Sequence, residues 1–498
     1  MPHEDKILFA MNTIFRLKDV ENCGSISIIH LTLSNNNEQN LTDLVSHFKK
    51  EIDEDQIPPV LMLGEFLWKM GDYGRADRYY RMMLKELSSD RKLIGKVCNN
   101  IGLIALEKGD FRVAMRYFQK ALRFQQSTET LDLAETYSNI ALLHDMREEL
   151  EQAIHYNKKS LEIRLRLLPD NDKYIGLSYN NLGLTYFHCH DFPQALRYYE
   201  KARSIQSVSL GSSDHFDHAT TLNNIGLVHF EQGQYEHALT FYKEALAISE
   251  RSLPAQHPQF ADIYNNFGST LEKLGELDDA LVMFQKALDV RLAALLVNHP
   301  NIAESYNNLA NVLEALGRPD EACAHFFRAL KYSDGTSPAA QRARAMYLNN
   351  IGEYFSKQEN FIQATKYHQE ALRIRLRLFS RKKNPDLAMS YNNIGLLFYY
   401  QYQFDKALHY HFRALTIRRE VHALNHPKIA ISLFNIALVY SELGQCEIAL
   451  DYLRQALDIR KQASPSDHQQ IEITQDEINF VTQKLNDMKN RGSTIHKS

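Results

Sequence analysis

Asparagine recurs along the chain at a spacing that suits recognition of a peptide backbone. An amide side chain both donates and accepts hydrogen bonds, so a row of asparagines can hold a ligand of any sequence. Inside a helix asparagine costs about several tenths of a kcal/mol relative to alanine, so helix propensity does not select it. The row stands two residues before a small residue in nine successive segments: Asn100, Asn139, Asn181, Asn224, Asn266, Asn308, Asn350, Asn393 and Asn435.

A structural role for the same row is the alternative. Each amide could instead tie its helix to a backbone carbonyl of the neighbouring helix and so fix how the helices stack. The spacing is compatible with both roles, and both can hold in different segments.

Motifs for catalysis and metal binding are absent from the sequence. It contains no GxxxxGK[ST] phosphate loop, HExxH, CxxC pair or GxSxG elbow. His188, Cys189 and His190 are adjacent, but neighbouring residues on a helix point in different directions and cannot share one ion. His409 and His411 fail the same test. We therefore expect no catalytic residue, no metal and no cofactor.

Composition indicates a soluble, helix-rich protein. Hydrophobic residues make up 44% of the 498 residues, charged residues 24%, and the formal net charge is -4. That charge does not favour nucleic acid or a membrane surface as partner, and no apolar stretch approaches the roughly 20 residues of a membrane span. The first residues lack the pattern of a secretory signal. Five widely spaced cysteines predict reduced, mostly buried thiols, and hence a cytoplasmic location.

The chain repeats with a period near 42 residues. Ten units at a near-constant period predict a solenoid. The small residue that follows the asparagine defines each unit: Gly64, Gly102, Ala141, Gly183, Gly226, Gly268, Ala310, Gly352, Gly395 and Ala437.

The interior of each unit predicts a helical hairpin, helix A followed by helix B. An alanine stands twelve residues after the small residue in every unit, as Ala195 does after Gly183, and a ring such as Tyr199 usually follows four residues later. We expect helices to cross closely at the small residues and the rings to fill the gap between successive hairpins. A glycine seven residues after the small residue, such as Gly233, is expected in a left-handed turn. Four helices A should begin at a proline: Pro258, Pro300, Pro385 and Pro427.

This pattern resembles the tetratricopeptide repeat over about residues 58–462. The resemblance implies a mainly α fold, a right-handed tetratricopeptide superhelix of about ten hairpins, here with a small α+β segment at residues 1–57 and a capping helix and disordered tail at 463–498. The 42-residue period, the His-Pro helix starts and the "YNNLG"-like helix segments resemble the repeats of kinesin light chains. The resemblance places the asparagine row on the inner, concave wall, where such domains hold the backbone of an extended peptide.

The predicted peptide site combines these asparagines with rings on the same face. Neighbouring positions are apolar in units four, five and nine (Leu184, Leu227 and Leu396 beside the rings) and polar or acidic in units six and seven (Ser269, Glu272, Asn311 and Glu314). The expected ligand is an extended peptide or partner helix with an apolar anchor and a basic stretch. The predicted site residues are Asn181, Asn224, Asn266, Asn308, Asn350, Asn393, Phe187, Phe230 and Tyr399.

The first 57 residues do not follow the repeat. Residues 7–17 and 25–33 read as two strands joined by a loop over 18–24, followed by a helix over 41–52. The segment "HEDKILFAMNTIFRL" resembles the end of arginine-specific mono-ADP-ribosyltransferases, in which a Glu-x-Glu motif carries the catalytic carboxylate. Glu4 matches the first glutamate and Lys6 occupies the place of the catalytic one. The resemblance implies a non-catalytic remnant, or an NAD-dependent transferase that another chain completes.

The sequence thus predicts a non-catalytic scaffold that binds protein or peptide in a groove, with cargo or adaptor recognition like that of kinesin light chains. Kinesin heavy chain is not an expected partner, because no heptad coiled coil precedes the repeats.

Overall fold

A computed structural model gives the fold, and it describes residues 14–23, 26–34, 59–69, 72–87, 90–125, 130–209, 216–294, 299–333, 335, 337–379, 384–463 and 468–495. Strand β1 (Ile14–Cys23) pairs with β2 (Ile26–Ser34) in an antiparallel hairpin, as predicted. The predicted loop over 18–24 is wrong, because Lys18–Cys23 continue β1 after a register shift between Leu17 and Asp19. Strand pairing uses backbone groups and tolerates these charged side chains. Glu4, Lys6 and the helix expected over 41–52 lie outside the described residues.

The remainder is helical, as predicted. In chain order the helices are α1 (Pro59–Lys69), α2 (Tyr73–Glu86), α3 (Arg91–Glu107), α4 (Phe111–Gln125), α5 (Leu131–Met146), α6 (Leu150–Leu167), α7 (Lys173–His188), α8 (Phe192–Ser209), α9 (Phe216–Glu231), α10 (Tyr235–Ser252), α11 (Pro258–Leu274), α12 (Leu277–Ala294), α13 (Pro300–Ala315), α14 (Pro319–Lys331), α15 (Pro338–Lys357), α16 (Phe361–Leu378), α17 (Pro385–Tyr400), α18 (Phe404–Val421), α19 (Pro427–Glu442), α20 (Cys446–Ala463) and α21 (His468–Ile495). Odd numbers from α1 to α19 are helices A, even numbers to α20 are helices B, and each A packs on the B that follows it.

Two compact units divide the chain. The N-terminal unit, Met1–Ser337, contains α1 to α14, and the C-terminal unit, Pro338–Ser498, contains α15 to α21. In the C-terminal unit α21 packs on α20, where Val481 is fully buried against Leu450 and Leu453. Successive hairpins within a unit therefore share apolar faces, and α21 covers the last of them.

Helix starts follow the predicted proline rule. Pro258, Pro300, Pro385 and Pro427 each occupy the first turn of a helix A. In three of these helices the preceding histidine is the N-cap, and its Nδ1 accepts a hydrogen bond from the backbone N–H two residues later, as His257 does from Gln259 at 3.3 Å. A lone pair on Nδ1 requires the neutral ring with its proton on Nε2.

The turn between helix A and helix B contains a residue with left-handed backbone, seven positions after the small residue. This holds in every hairpin in which that residue is described. Gly109, Gly233, Gly275, Gly317 and Gly444 have φ between 71° and 82°, as predicted. The same position holds a non-glycine residue at φ 56° to 62° in four hairpins: Glu148, His190, Glu359 and Tyr402. The turn geometry is therefore set by the hairpin and not by the presence of glycine.

Helix A and helix B touch most closely where a ring lies on a glycine. A Cβ added to Gly102 would lie 2.4 Å from Cε1 of Phe118, and one added to Gly226 would lie 2.5 Å from Cε1 of Tyr242. The predicted close crossing is confirmed. The rings also lie between successive hairpins as predicted, since Phe118 packs on Ile140 of the next hairpin. Each of these rings packs on the glycine of its own hairpin, because the missing Cβ leaves a space there that the ring fills.

Long polar side chains link most hairpins to the next at one position of the repeat, which we call the clasp position. It stands 23 residues after the small residue and holds Gln125, Arg164, Gln206, Ser249, Arg291, Ser333, Arg375, Arg418 and Arg460. Nη1 of Arg164 donates to Ser178 Oγ at 2.7 Å, and Nη1 of Arg418 donates to Ser432 Oγ at 2.7 Å. Burial lowers the pKa of Arg418 to about 10. The clasp fixes where helix B of one hairpin meets helix A of the next.

Gly233→Ala is expected to lower the free energy of unfolding by about 1–2 kcal/mol, because an L-residue is disfavoured at φ +74°. Nothing lies within 4 Å of the added Cβ, so the backbone alone carries the effect. Urea unfolding measures it. Gly74→Ala is the matched control: Gly74 lies inside α2, its added Cβ meets only Asp72 at 3.8 Å, and alanine there should stabilise. Equal effects of the two substitutions would contradict this account.

His411→Phe should reduce the loss of stability of the C-terminal unit in acid. His411 is fully buried on Gly395, neither ring nitrogen has a hydrogen-bond partner, and burial lowers its pKa to about 4. Because the folded pKa lies below the unfolded value, this contribution is complete above about pH 6.5 and is lost as the pH falls toward 4. Phenylalanine, the ring found at Phe118 and Phe284, does not titrate.

The difference in free energy of unfolding between His411→Phe and the natural chain should be about 2 kcal/mol more in favour of the variant at pH 5 than at pH 8. Chemical unfolding at the two pH values measures the gain. His409→Phe serves as the control because His409 is exposed on the same helix. Parallel pH profiles for the natural chain and His411→Phe would refute the assignment.

Candidate interaction surface

Helices A line one face of the N-terminal unit. Helices α3, α5, α7, α9 and α11 each touch the next helix A in the series, in addition to their contacts with helices B. In the C-terminal unit α17 and α19 touch in the same way. We call the face formed by the helices A of one unit its inner surface. The residues of the predicted peptide site all belong to helices A.

Asparagine side chains form a ladder between these helices. The second asparagine of one hairpin donates from Nδ2 to Oδ1 of the first asparagine of the preceding hairpin. The rungs are Asn224 to Asn180 at 3.1 Å, Asn266 to Asn223 at 3.0 Å, Asn308 to Asn265 at 2.6 Å, Asn393 to Asn349 at 3.1 Å and Asn435 to Asn392 at 2.9 Å. The Asn-Asn pair is thus an acceptor for the next hairpin followed by a donor to the previous one.

This amide ladder has a different acceptor from the one expected for a structural role. The expected partner was a backbone carbonyl, whereas helix carbonyls are already bonded within the helix and a side-chain oxygen is what the neighbour offers. Each rung uses one N–H of its donor. The Oδ1 and second N–H of Asn224, Asn266, Asn308 and Asn393 remain outside the rungs, and all four side chains are partly buried.

One predicted site asparagine, Asn181, stands outside these rungs. Behind Asn181 the preceding hairpin has Ser138 where other hairpins have asparagine, and within the described residues the Asn181 side chain makes no hydrogen bond. Asn350 occupies the equivalent place on α15 and is partly buried. Asn181 therefore offers its whole amide group to the inner surface.

The three predicted rings lie at the end of helix A, beside the turn. Phe187 packs on Phe192 with ring centroids 6.0 Å apart, Phe230 on Tyr235 at 5.6 Å, and Tyr399 on Phe404 at 6.2 Å. In each case the partner is the first residue of helix B. The rings are partly buried and form one edge of the inner surface.

Acidic groups follow the apolar part of the inner surface of the N-terminal unit. The guanidinium of Arg291 lies 3.1 Å from Asp262 and 3.3 Å from Glu304, so one cation faces two carboxylates. Burial raises the pKa of Asp262, against the lowering by Arg291, although the side chain still reaches solvent. Burial also raises the pKa of Glu272. The two carboxylates beside Arg291 carry more negative charge than the single guanidinium between them neutralises.

The first and seventh hairpins of the N-terminal unit meet. The Tyr73 hydroxyl is 3.5 Å from His299 Nε2, and the ring centroids are 6.4 Å apart. Because His299 Nδ1 accepts from the Asn301 backbone N–H at 3.2 Å, its proton lies on Nε2, which donates to Tyr73. Tyr73 is hydrogen-bonded in turn to Glu107. The unit therefore curves enough to bring its first and seventh hairpins into contact.

Sequence reasoning missed the clasp residues and this closing contact. Arg291 could have been found by aligning the repeats at the small residue, because mostly polar residues then recur at the clasp position. The Tyr73–His299 pair is separated by more than two hundred residues, and no periodic signal connects the two positions.

Among the described residues, no three histidine, cysteine, aspartate or glutamate side chains gather closely enough to hold a metal ion. Within the same ranges no helix has both the length and the hydropathy needed to span a membrane. Cys98, Cys323 and Cys446 are buried free thiols, and burial raises the pKa of Cys98 and Cys323 to about 11.

Comparison with solved structures finds helical repeat proteins. RapI in its apo form aligns over 75% of this chain and 99% of its own with 16% identity and a TM-score of 0.51. The apo quorum sensor NprR from B. thuringiensis aligns over 77% of this chain and all of its own with 14% identity and a TM-score of 0.49. A structure described as kinesin light chain repeats from Podosopora anserina aligns over 41% of this chain and 97% of its own, with 17% identity and a TM-score of 0.35. No curated protein matches the sequence.

Sequence profiles of the tetratricopeptide repeat match most of the chain. The matches cover residues 60–93, 95–166, 174–251, 259–333, 342–420 and 386–462. They span the same hairpins that the ladder and the clasps join. The chain belongs to the tetratricopeptide repeat family.

Proposed function

We propose that the inner surface of the N-terminal unit binds an extended peptide segment of a partner protein. As a tetratricopeptide repeat protein the chain is an interaction scaffold, and the proposal names the surface and the kind of ligand. The observation that carries it is the amide ladder, which holds three successive asparagines of this unit in one line with hydrogen-bonding capacity to spare. A peptide backbone offers alternating donors and acceptors that such a line can meet.

The side chains beside the ladder set the character of the ligand. Leu184 and Leu227 lie partly buried next to Phe187 and Phe230, which suits an apolar anchor. Asp262, Glu304 and Glu272 follow, with one buried guanidinium between the first two, which suits basic residues further along the ligand. The corresponding residues of the C-terminal unit, Asn350, Asn393 and Tyr399, belong to a second stretch of the same kind.

Recognition of cargo or adaptor segments, as by kinesin light chains, is the cellular role we propose, with a cytoplasmic location. The support is the repeat length and the family. The proposal does not include binding to kinesin heavy chain, for want of a heptad coiled coil in the sequence.

The ladder itself gives a stability prediction. Asn266→Ala should lower the free energy of unfolding by about 1–2 kcal/mol, because it removes a rung and leaves the Asn223 oxygen without its donor. Asn181→Ala removes the same residue type from the same row where no rung exists, and should leave stability unchanged or raise it slightly. Urea unfolding of the two variants decides. An equal loss in both would show that the rung is not what stabilises the stack.

Peptide capture is tested by selecting extended 12-residue peptides from a random phage-displayed library on the natural chain. Asn181→Ala combined with Leu227→Glu should weaken the selected peptides at least about tenfold, since it removes a ligand-facing amide and charges the apolar wall without breaking a rung. Fluorescence polarisation with the synthetic peptides measures the affinity. Far-UV circular dichroism confirms that the helices are intact.

Val282→Glu is the control, because Val282 lies exposed on helix B α12. It should leave the affinity unchanged. Peptides that lose affinity only with Val282→Glu, or a library that yields no binder, would count against the inner surface as the binding site.

A further inference from the structure

Tyrosines gather at the end of α17 in the C-terminal unit. Tyr399 and Tyr400 end that helix, Tyr402 is in the turn, and Phe404 begins α18. Ring centroids are 5.6 Å apart for Tyr399–Tyr400 and 6.1 Å for Tyr402–Phe404, and Tyr400 stacks on Phe361 at 6.0 Å with 12° between the planes. Tyr400 is 54% exposed and Tyr402 is 79% exposed. These five residues, which we call the tyrosine cluster, present ring surface to solvent.

Core packing does not account for Tyr402. It occupies the left-handed turn position at φ +58°, where five other hairpins have glycine. That conformation is unfavourable for a tyrosine, and its exposed ring gains little burial in return. Glu148, His190 and Glu359 share this turn conformation, so what sets Tyr402 apart is its exposed ring, which is available to a ligand.

Two carboxylates, one on the following helix A and one on α21, are within electrostatic range of the cluster. Glu442 ends α19, and Glu477 lies on α21. Thr474 faces a clasp arginine as Ser432 does, and Glu477 follows Thr474 by three residues, just as Asn435 follows Ser432. Glu477 therefore takes the place that the ladder asparagine has in the repeats. Burial raises the pKa of the Tyr399 hydroxyl, and the charges of Glu442 and Glu477 are near enough to raise it further.

These carboxylates lack a cation. Within the described residues neither Glu442 nor Glu477 forms an ion pair. Lys484 is near enough to lower the pKa of Glu477, but burial and Glu442 outweigh it and the pKa is raised. The Lys484 ammonium donates instead to the Ser441 carbonyl at 2.8 Å. The site thus combines uncompensated negative charge with exposed aromatic faces.

We propose that the tyrosine cluster, with Glu442 and Glu477, binds an arginine side chain of a partner peptide. A guanidinium stacks on aromatic faces and at the same time offers a planar set of donors to carboxylates, and this site presents both. The inference deepens the proposed function and rests on it for the claim that the ligand is a peptide. The binding of arginine is argued from the tyrosine cluster itself.

The experiment places 3-fluorotyrosine at position 402 of the full chain and follows its ¹⁹F resonance at pH 7.5. The probe is N-acetyl-L-arginine methylamide, and the neutral comparison is N-acetyl-L-citrulline methylamide, which has nearly the same shape. The arginine compound should shift the resonance in a saturable way and the citrulline compound should bind about tenfold more weakly or not at all. Equal binding of the two compounds, or no shift with arginine, would overturn the proposal.

Two variants separate the site from the fold. Tyr402→Gly, followed by 3-fluorotyrosine at position 400, should weaken binding about fivefold while raising the unfolding midpoint by about 2–4 °C, since strain is released. Glu359→Gly changes the same turn position one hairpin earlier and should raise the midpoint without changing affinity. Glu477→Gln should weaken binding without loss of helicity. Unchanged affinity in both Tyr402→Gly and Glu477→Gln would refute the site.

The outcome is independent of the peptide selection on the N-terminal unit. Arginine binding at position 402 without any selected peptide would leave this site standing and the proposed function refuted. Selected peptides that bind in the absence of an arginine response would give the reverse result.

Discussion

Every part of this structure depends on how one helical hairpin meets the next. Apolar burial supplies most of the stabilisation between hairpins, but it has no direction and cannot fix how far one hairpin slides or turns on its neighbour. Directional polar contacts fix it: the clasp joins helix B to the following helix A, and the amide ladder joins successive helices A. The clasp is buried and the ladder is partly buried, so misplacing a hairpin would leave polar groups without partners. The alignment of the asparagines along the inner surface is a consequence of these contacts.

The clasp position varies together with its counterpart, and volume explains the variation. Where the clasp is arginine or glutamine, the facing position five residues before the next small residue is serine or threonine: Thr136, Ser178, Thr221, Ser305, Ser390 and Ser432. Where the clasp is the short Ser249, the same position holds Ile263, and both side chains are fully buried. The two kinds of pair fill comparable volumes: one combines a long polar residue with a small hydroxyl residue, and the other combines a small hydroxyl residue with a large apolar one.

The sequence was sufficient for the repeat, the hairpins, the proline starts and the left-handed turns, because each is a local pattern that recurs along the chain. Contacts between side chains were harder to predict. The period located the asparagine pair, but only coordinates show that its two members have opposite roles, since donor and acceptor are the same amide group. The spacing placed the rings between successive hairpins, but it did not show that each ring also lies on the glycine of its own hairpin. The Tyr73–His299 contact was out of reach, as it depends on the curvature accumulated over six hairpins.

Charge divides the chain more sharply than the net value of -4 suggests. Residues 1–337 hold 35 Lys and Arg against 46 Asp and Glu, whereas residues 338–498 hold 22 against 15. The N-terminal unit is therefore acidic overall and attracts a basic ligand over the Debye length of about 8 Å at physiological salt. The C-terminal unit is basic overall, so its long-range field opposes the approach of a cation to Glu442 and Glu477. Short-range stacking and hydrogen bonding must then select the cation there, and the exposed rings of Tyr400 and Tyr402 are the groups that can supply the stacking.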